Sequence, residues 1–137
     1  MYGMDPDPEL EKTLRKAVDL ITKAQSPSGG WRYQPNPGDQ DLSVTAMQIV
    51  ALRVVNNAEI PVPAAVIDKA IGYVRSCGDS KGGYGYTAGA GPRPPTTAAG
   101  ILSLQLLGKF DDKGVARSLE TLRKYPVKWD ASIPYFF

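Results

Sequence analysis

The chain contains no histidine and one cysteine, Cys77. Without imidazole there is no His general base, no Ser-His or Cys-His nucleophilic pair and no His-ligated metal. A single thiol permits neither an intrachain disulfide framework nor a Cys-rich zinc site. An excess of charge is lacking too. Sixteen Lys and Arg stand against fourteen Asp and Glu, a net +2, so there is no electrostatic footprint for nucleic acid or an anionic membrane. Long apolar runs are also missing. The richest stretches, residues 44–55 and 98–107, are broken by Gln48, Arg53, Gly100 and Gln105 and fall short of the ~20 residues that span a bilayer. Residues 1–8 carry no apolar core of the kind a secretory signal needs. What is present is ordinary: 137 residues, 42% hydrophobic and 22% charged, the make-up of one soluble globular domain. Compartment is left open.

The sequence is organised by self-similarity. Lys16-Ala17 recurs as Lys69-Ala70, and Gly29-Gly30-Trp31-Arg32-Tyr33 as Gly82-Gly83-Tyr84-Gly85-Tyr86, both at an interval of 53. Thr45-Ala46, Ile49 and Leu52 match Thr97-Ala98, Ile101 and Leu104 at 52, with the slip in the connecting loop. A third copy opens at Val115 and echoes residues 69–75 through Arg117-Ser118-Leu119 and Leu122-Arg123. The expected units are residues 8–57, 63–108 and an incomplete 112–137, in one partial domain spanning 1–137.

Each unit reads as helix, glycine-rich loop, helix. Asp7-Pro8-Glu9 is a helix start: a capping carboxylate, proline at the first helical position, an acid in the first turn. Leu10, Leu14, Ala17, Val18, Ile21 and Ala24 follow at helical spacing, so this helix is amphipathic. The next helix, about residues 43–56, is apolar over nearly its whole circumference and is expected to be buried on most sides. Pro63 opens a second amphipathic helix. Thr96 or Thr97 is expected to cap a second apolar one, which Gly108 stops. Alternating amphipathic and apolar helices predict an all-α, two-layer fold with five main helices.

The glycine–aromatic loop invites two readings. Two glycines let the backbone turn sharply under Trp31, which then wedges between helix ends as a packing rivet. Gln25 is placed to bond carbonyls at the end of its own helix or amides of the next. Alternatively the loops form a ligand face of Trp31, Arg32, Tyr33, Asp39, Asp41, Tyr84, Tyr86 and Arg93, with aromatic walls for an apolar or cationic ligand and Arg32 with Arg93 clamping an anion. Against that, Asp39 and Asp41 are placed to cap the following helix, and the arginines to pair with them. Asp39-Gln40-Asp41 is too short for a calcium loop. Gly82-Gly83-Tyr84-Gly85-Tyr86 has neither the Lys-Ser/Thr nor the strand of a phosphate loop. Cys77 reads as a small packing residue, with only Arg75 and Lys81 near enough in sequence to activate it.

Gln25-Ser26-Pro27-Ser28-Gly29-Gly30-Trp31, with Ala17 upstream and Asp41-Leu42-Ser43-Val44-Thr45-Ala46 downstream, resembles the prenyltransferase and squalene oxidase repeat of the squalene-hopene cyclase and protein prenyltransferase superfamily. The resemblance covers residues 10–108 and the stub beyond. In the second copy Gly78 stands in place of Gln25 and Tyr84 in place of Trp31. It implies antiparallel helix pairs, two complete and one partial, forming an arc of an α/α toroid. It does not bring the family's chemistry. The cyclase proton donor belongs to an Asp-x-Asp-Asp-Thr-Ala motif, but Ser43-Val44 precedes Thr45-Ala46 here. The prenyltransferase zinc needs Asp, Cys and His, and His is absent. The complement-type thioester reads Cys-Gly-Glu-Gln, whereas Cys77 is followed by Gly78-Asp79-Ser80.

The expected function is a non-catalytic repeat segment that scaffolds, or binds a ligand, within a larger protein, with no catalytic residue, metal or cofactor. Its expected partners are further repeats of a parent chain and a second copy covering the incomplete third unit. The competing expectation is a piece of a terpenoid-cyclase-like enzyme whose catalytic residues lie elsewhere. The lack of aromatics on both apolar helices, where a carbocation would need them, argues against it.

Overall fold

The computed structural model describes residues 7–35 and 38–125, and over these the chain is all-helical. Five helices follow in order: α1 (Pro8–Ala24), α2 (Leu42–Asn57), α3 (Ala64–Ser76), α4 (Pro94–Leu106) and α5 (Lys113–Arg123). No strand forms among the described residues. Isolated bridges alone pin the loops, joining Trp31 to Asp41, Gly78 to Tyr84 and Gly85 to Pro92. The expected start of a third inner helix, within residues 126–137, lies outside the described residues.

Local chemistry accounts for the helix ends. The Asp7 carboxylate accepts from the Glu9 amide at 2.9 Å, with Pro8 beside it and Glu9 and Glu11 in the first turn. Asp41 starts α2 in the same way, accepting from the Val44 amide at 2.8 Å. Asp112 starts α5 through the Gly114 amide, also at 2.8 Å. The beginning of α4 departs from expectation. It starts at Pro94 with Arg93 as cap residue, and no side chain caps it. Pro94 and Pro95 preset the first-turn φ and bring no N–H to satisfy, so the helix reaches further back than Thr96. Gly108 ends α4 as expected. It takes φ +79, and the Lys109 amide returns to the Leu104 carbonyl at 2.8 Å.

Helices α2 and α4 pack most extensively on each other. Around them, α1 leans on α2, α3 touches both, and α5 rests on α4. The core between them holds Leu42, Ile49 and Leu52 from α2, Ile101 and Leu104 from α4, and Val66, Ala70 and Val74 from α3. Burial of α2 and α4 is less complete than their composition suggests. Met47 and Val54 on α2 are each 62% exposed and Leu102 on α4 is 47% exposed. Three helices pack on each of them, and an apolar residue on the arc left uncovered stays in water whatever its type. The amphipathic α1 sits shallowly, with Val18 its one fully buried residue.

Candidate functional site

The two loops between paired helices carry every candidate residue, and glycine determines how they lie. In the first, the Ser26 amide donates to the Gly30 carbonyl and the Gly29 amide to the Ser26 carbonyl, both at 3.0 Å. Gly29 has φ +98, and a Cβ on it would collide with the Lys69 carbonyl of α3. Only glycine allows the turn and the approach together. Gln25 seals the contact, donating from Nε2 to the Gly29 carbonyl at 2.9 Å and to the Val66 carbonyl at 3.0 Å. It thus reaches its own loop and α3, not the end of its own helix. The second loop does the same one step on. The Asp79 amide donates to the Gly83 carbonyl at 2.8 Å, Gly82 has φ +90, and a Cβ on Gly82 would lie 2.6 Å from Arg117 Cγ on α5.

With the backbone pressed onto α3 in the first case and α5 in the second, the aromatic that follows turns inward. Trp31 is 2% exposed and its indole N–H donates to the Ile21 carbonyl at 2.8 Å. Tyr84 is 4% exposed, and its ring covers Gly100 of α4. Both were candidates for the ligand face, and both are corrected to interior packing residues. Each also donates its backbone N–H to a buried threonine at 3.0 Å: Trp31 to Thr45 Oγ1, Tyr84 to Thr97 Oγ1. Thr96 adds a bond from its hydroxyl to the Tyr84 carbonyl at 2.6 Å. The sequence reading used Thr45 and Thr97 as repeat markers and took Thr96 or Thr97 for a cap. A hydroxyl on an otherwise apolar helix face was the available sign that a buried donor needed it.

Arg32, Tyr33, Asp39, Asp41 and Tyr86 do come together. Arg32 bonds Asp41 through Nη1, meets Asp39 Oδ2 from Nε at 3.4 Å, and donates to the Tyr86 hydroxyl at 3.3 Å. Its guanidinium lies over the rings of Tyr33 and Tyr86, 5.2 and 5.8 Å from their centroids. The Leu42 amide donates to the Tyr86 carbonyl at 2.8 Å, so the knot ties the first loop to the second. Arg93 is exposed and forms no ion pair with any described residue, so of the two arginines it is Arg32 that pairs with Asp39 and Asp41. Its backbone instead repeats that of Asp41: the Asp41 amide donates to the Trp31 carbonyl at 3.3 Å and the Arg93 amide to the Tyr84 carbonyl at 3.2 Å.

One cation, Arg32, meets two carboxylates at this knot. Asp41 is wholly buried. Burial alone would push its carboxyl up, but hydrogen bonds from Ser43, the Val44 amide, Tyr86 and Arg32 outweigh that and hold it below the ordinary aspartate value. Burial pushes the Cys77 thiol upward against the hydrogen bonds of Tyr73 and Ser76, and Arg75 pairs with Asp112 at 2.6 Å. Among the described residues no group of three His, Cys, Asp or Glu gathers to hold a metal, and no helix is long and apolar enough to cross a membrane. A cleft of about 530 Å³ opens elsewhere, between α1 and residues 60–63. Glu11, Lys12, Arg15, Lys16 and Asp19 line it with charges of both signs, which favours no one ligand class. No known family model matches the chain, and no curated protein matches it.

Two outcomes follow from this geometry. Trp31→Ala removes a buried ring and orphans the Ile21 carbonyl, and it lowers the free energy of unfolding by about 3–5 kcal/mol in urea titrations; a change near zero contradicts the rivet. Asp41→Ala costs about 1–3 kcal/mol at neutral pH through the lost cap and the bonds it leaves open. Because the Asp41 pKa is depressed on folding, its stabilisation is complete above the unfolded value and is lost as pH falls through the folded one. The wild-type urea midpoint therefore drops on acidification more than that of Asp41→Ala, while Asp112, also depressed beside Arg75, sustains part of the drop in both. Parallel acid limbs in the two proteins contradict this.

Proposed function

We propose that the chain is a non-catalytic stretch of a tandem helical repeat of the squalene-hopene cyclase and protein prenyltransferase kind, an arc of an α/α toroid. Its role is to hold successive helix pairs in register and to present the surface they build to a binding partner. One observation carries the reading: the same latch occurs twice. Trp31 on Thr45 and Tyr84 on Thr97 share donor, acceptor and a length of 3.0 Å. The left-handed glycine and its seat on the first helix of the following unit accompany both copies, Gly29 on Lys69 of α3 and Gly82 on Arg117 of α5. Tandem duplication accounts for this agreement, since repeat arrays reuse one interface between neighbours. The chemistry of the loop face supports the non-catalytic part of the reading: Arg32 is engaged by Asp39 and Asp41, and burial favours the thiol form of Cys77. The resemblance in the loop sequence supplies the family and the toroid.

Equivalence is tested by Thr45→Val and Thr97→Val. Each keeps the volume and strands one buried amide, so each costs about 1–3 kcal/mol in urea unfolding. Costs that agree within about 0.5 kcal/mol support one repeated interface. A full cost at one site and none at the other contradicts it, and turnover of squalene by the chain would overturn the non-catalytic reading.

A further inference from the structure

We infer that the outward face of α1, formed by Thr13, Lys16, Ala17 and Leu20, is an acceptor surface for the glycine–glycine–aromatic loop of a further unit of the same kind. The inference rests on the repeat reading. The interval of 53 that relates Lys16-Ala17 to Lys69-Ala70 carries these four residues onto Val66, Lys69, Ala70 and Tyr73 of α3. There all four positions are covered by the first loop or buried beside it. The Val66 carbonyl accepts from Gln25, Gly29 lies on the Lys69 carbonyl, Ala70 is 0% exposed, and Tyr73 packs under Gly30. Helix α5 is covered in the same manner by the second loop. Gly82 lies on Arg117, Ser118 is fully buried, Arg117 Nη1 donates to the Ser80 carbonyl at 3.0 Å, and the Thr121 hydroxyl donates to the Lys81 carbonyl at 3.1 Å.

On α1 the corresponding face has no described residue over it. Thr13, Lys16 and Ala17 are exposed, and Leu20 is 64% exposed although its counterpart Tyr73 is 4% exposed. The side chains suit the same occupant. Ala17 is as small as Ala70 and Ser118, so a backbone can approach, and Leu20 offers an apolar flank where Tyr73 offers a ring. The occupant is a turn with a left-handed glycine followed by a second glycine and an aromatic, because that is the chemistry seated at both equivalent positions. The two such loops of a second copy are already seated on their own α3 and α5, so the loop comes from a different unit of the same type.

The probe is a ring-closed peptide with the sequence of residues 25–33, added to the full chain while backbone amide shifts are followed. The expected result is a set of shifts centred on Thr13, Lys16, Ala17 and Leu20. A peptide with alanine in place of the first glycine fails to produce them. Leu20→Glu, a surface change that leaves the core untouched, weakens the response by about tenfold or more. Unmoved α1 amides, or equal shifts with the alanine peptide, overturn the inference. So do α1 shifts on concentrating the protein alone, which would mean that a second copy covers the face. Thr45 and Thr97 are buried on α2 and α4 and form no part of the exposed α1 face, so matched costs at those threonines with a silent α1 remove the acceptor and keep the repeat. Unmatched costs remove both.

Discussion

The arrangement depends on a steric fact: a backbone without a side chain comes within van der Waals reach of the carbonyls of the following unit's first helix. Gly29 against Lys69 and Gly82 against Arg117 are such approaches. Once the turn is seated, the chain has nowhere to place its next bulky residue except inward. Trp31 and Tyr84 fill that space, and the amides they bring with them need acceptors away from water. Thr45 and Thr97 supply these from helices that are otherwise apolar. Turn, ring and hydroxyl thus form one unit. Altering any of them leaves a clash, a void or an unpaired donor.

The charged cluster is a consequence of the same geometry. Folding the first loop back to its helix places Asp41 at the cap with no exposure to solvent, and a buried carboxylate requires compensation. Ser43, the Val44 amide and Arg32 provide it. Arg32 is in turn held between two tyrosine rings and bonded to the Tyr86 hydroxyl. Residues that look like a binding constellation in sequence also join the two loops. Tyr33 and Asp39, both 73% exposed by residue and side chain respectively, are the parts of the knot that face water most.

Helix positions were legible because they are written in local chemistry: Asp7-Pro8, Pro63 and Gly108 are punctuation that acts within a few residues. The burial of Trp31 was legible as the packing alternative, since a paired glycine beside a large ring has a steric meaning. Three things were not. The start of α4 was misplaced because Thr96 and Thr97 resemble caps, and their bonds run instead to Tyr84, which is distant in sequence. Gln25 was assigned the wrong partner because α3 is brought to it by tertiary packing. The exposure of Met47, Val54 and Leu102 was missed because composition reports how apolar a helix is and not how many neighbours it has.

Amide hydrogen exchange tests the central claim most directly. If the Trp31 and Tyr84 N–H groups are bonded to buried threonine hydroxyls, they exchange as slowly as the core amides of α2 and α4, although both lie in loops. Exchange of either amide at the rate of an unprotected loop residue would contradict the account.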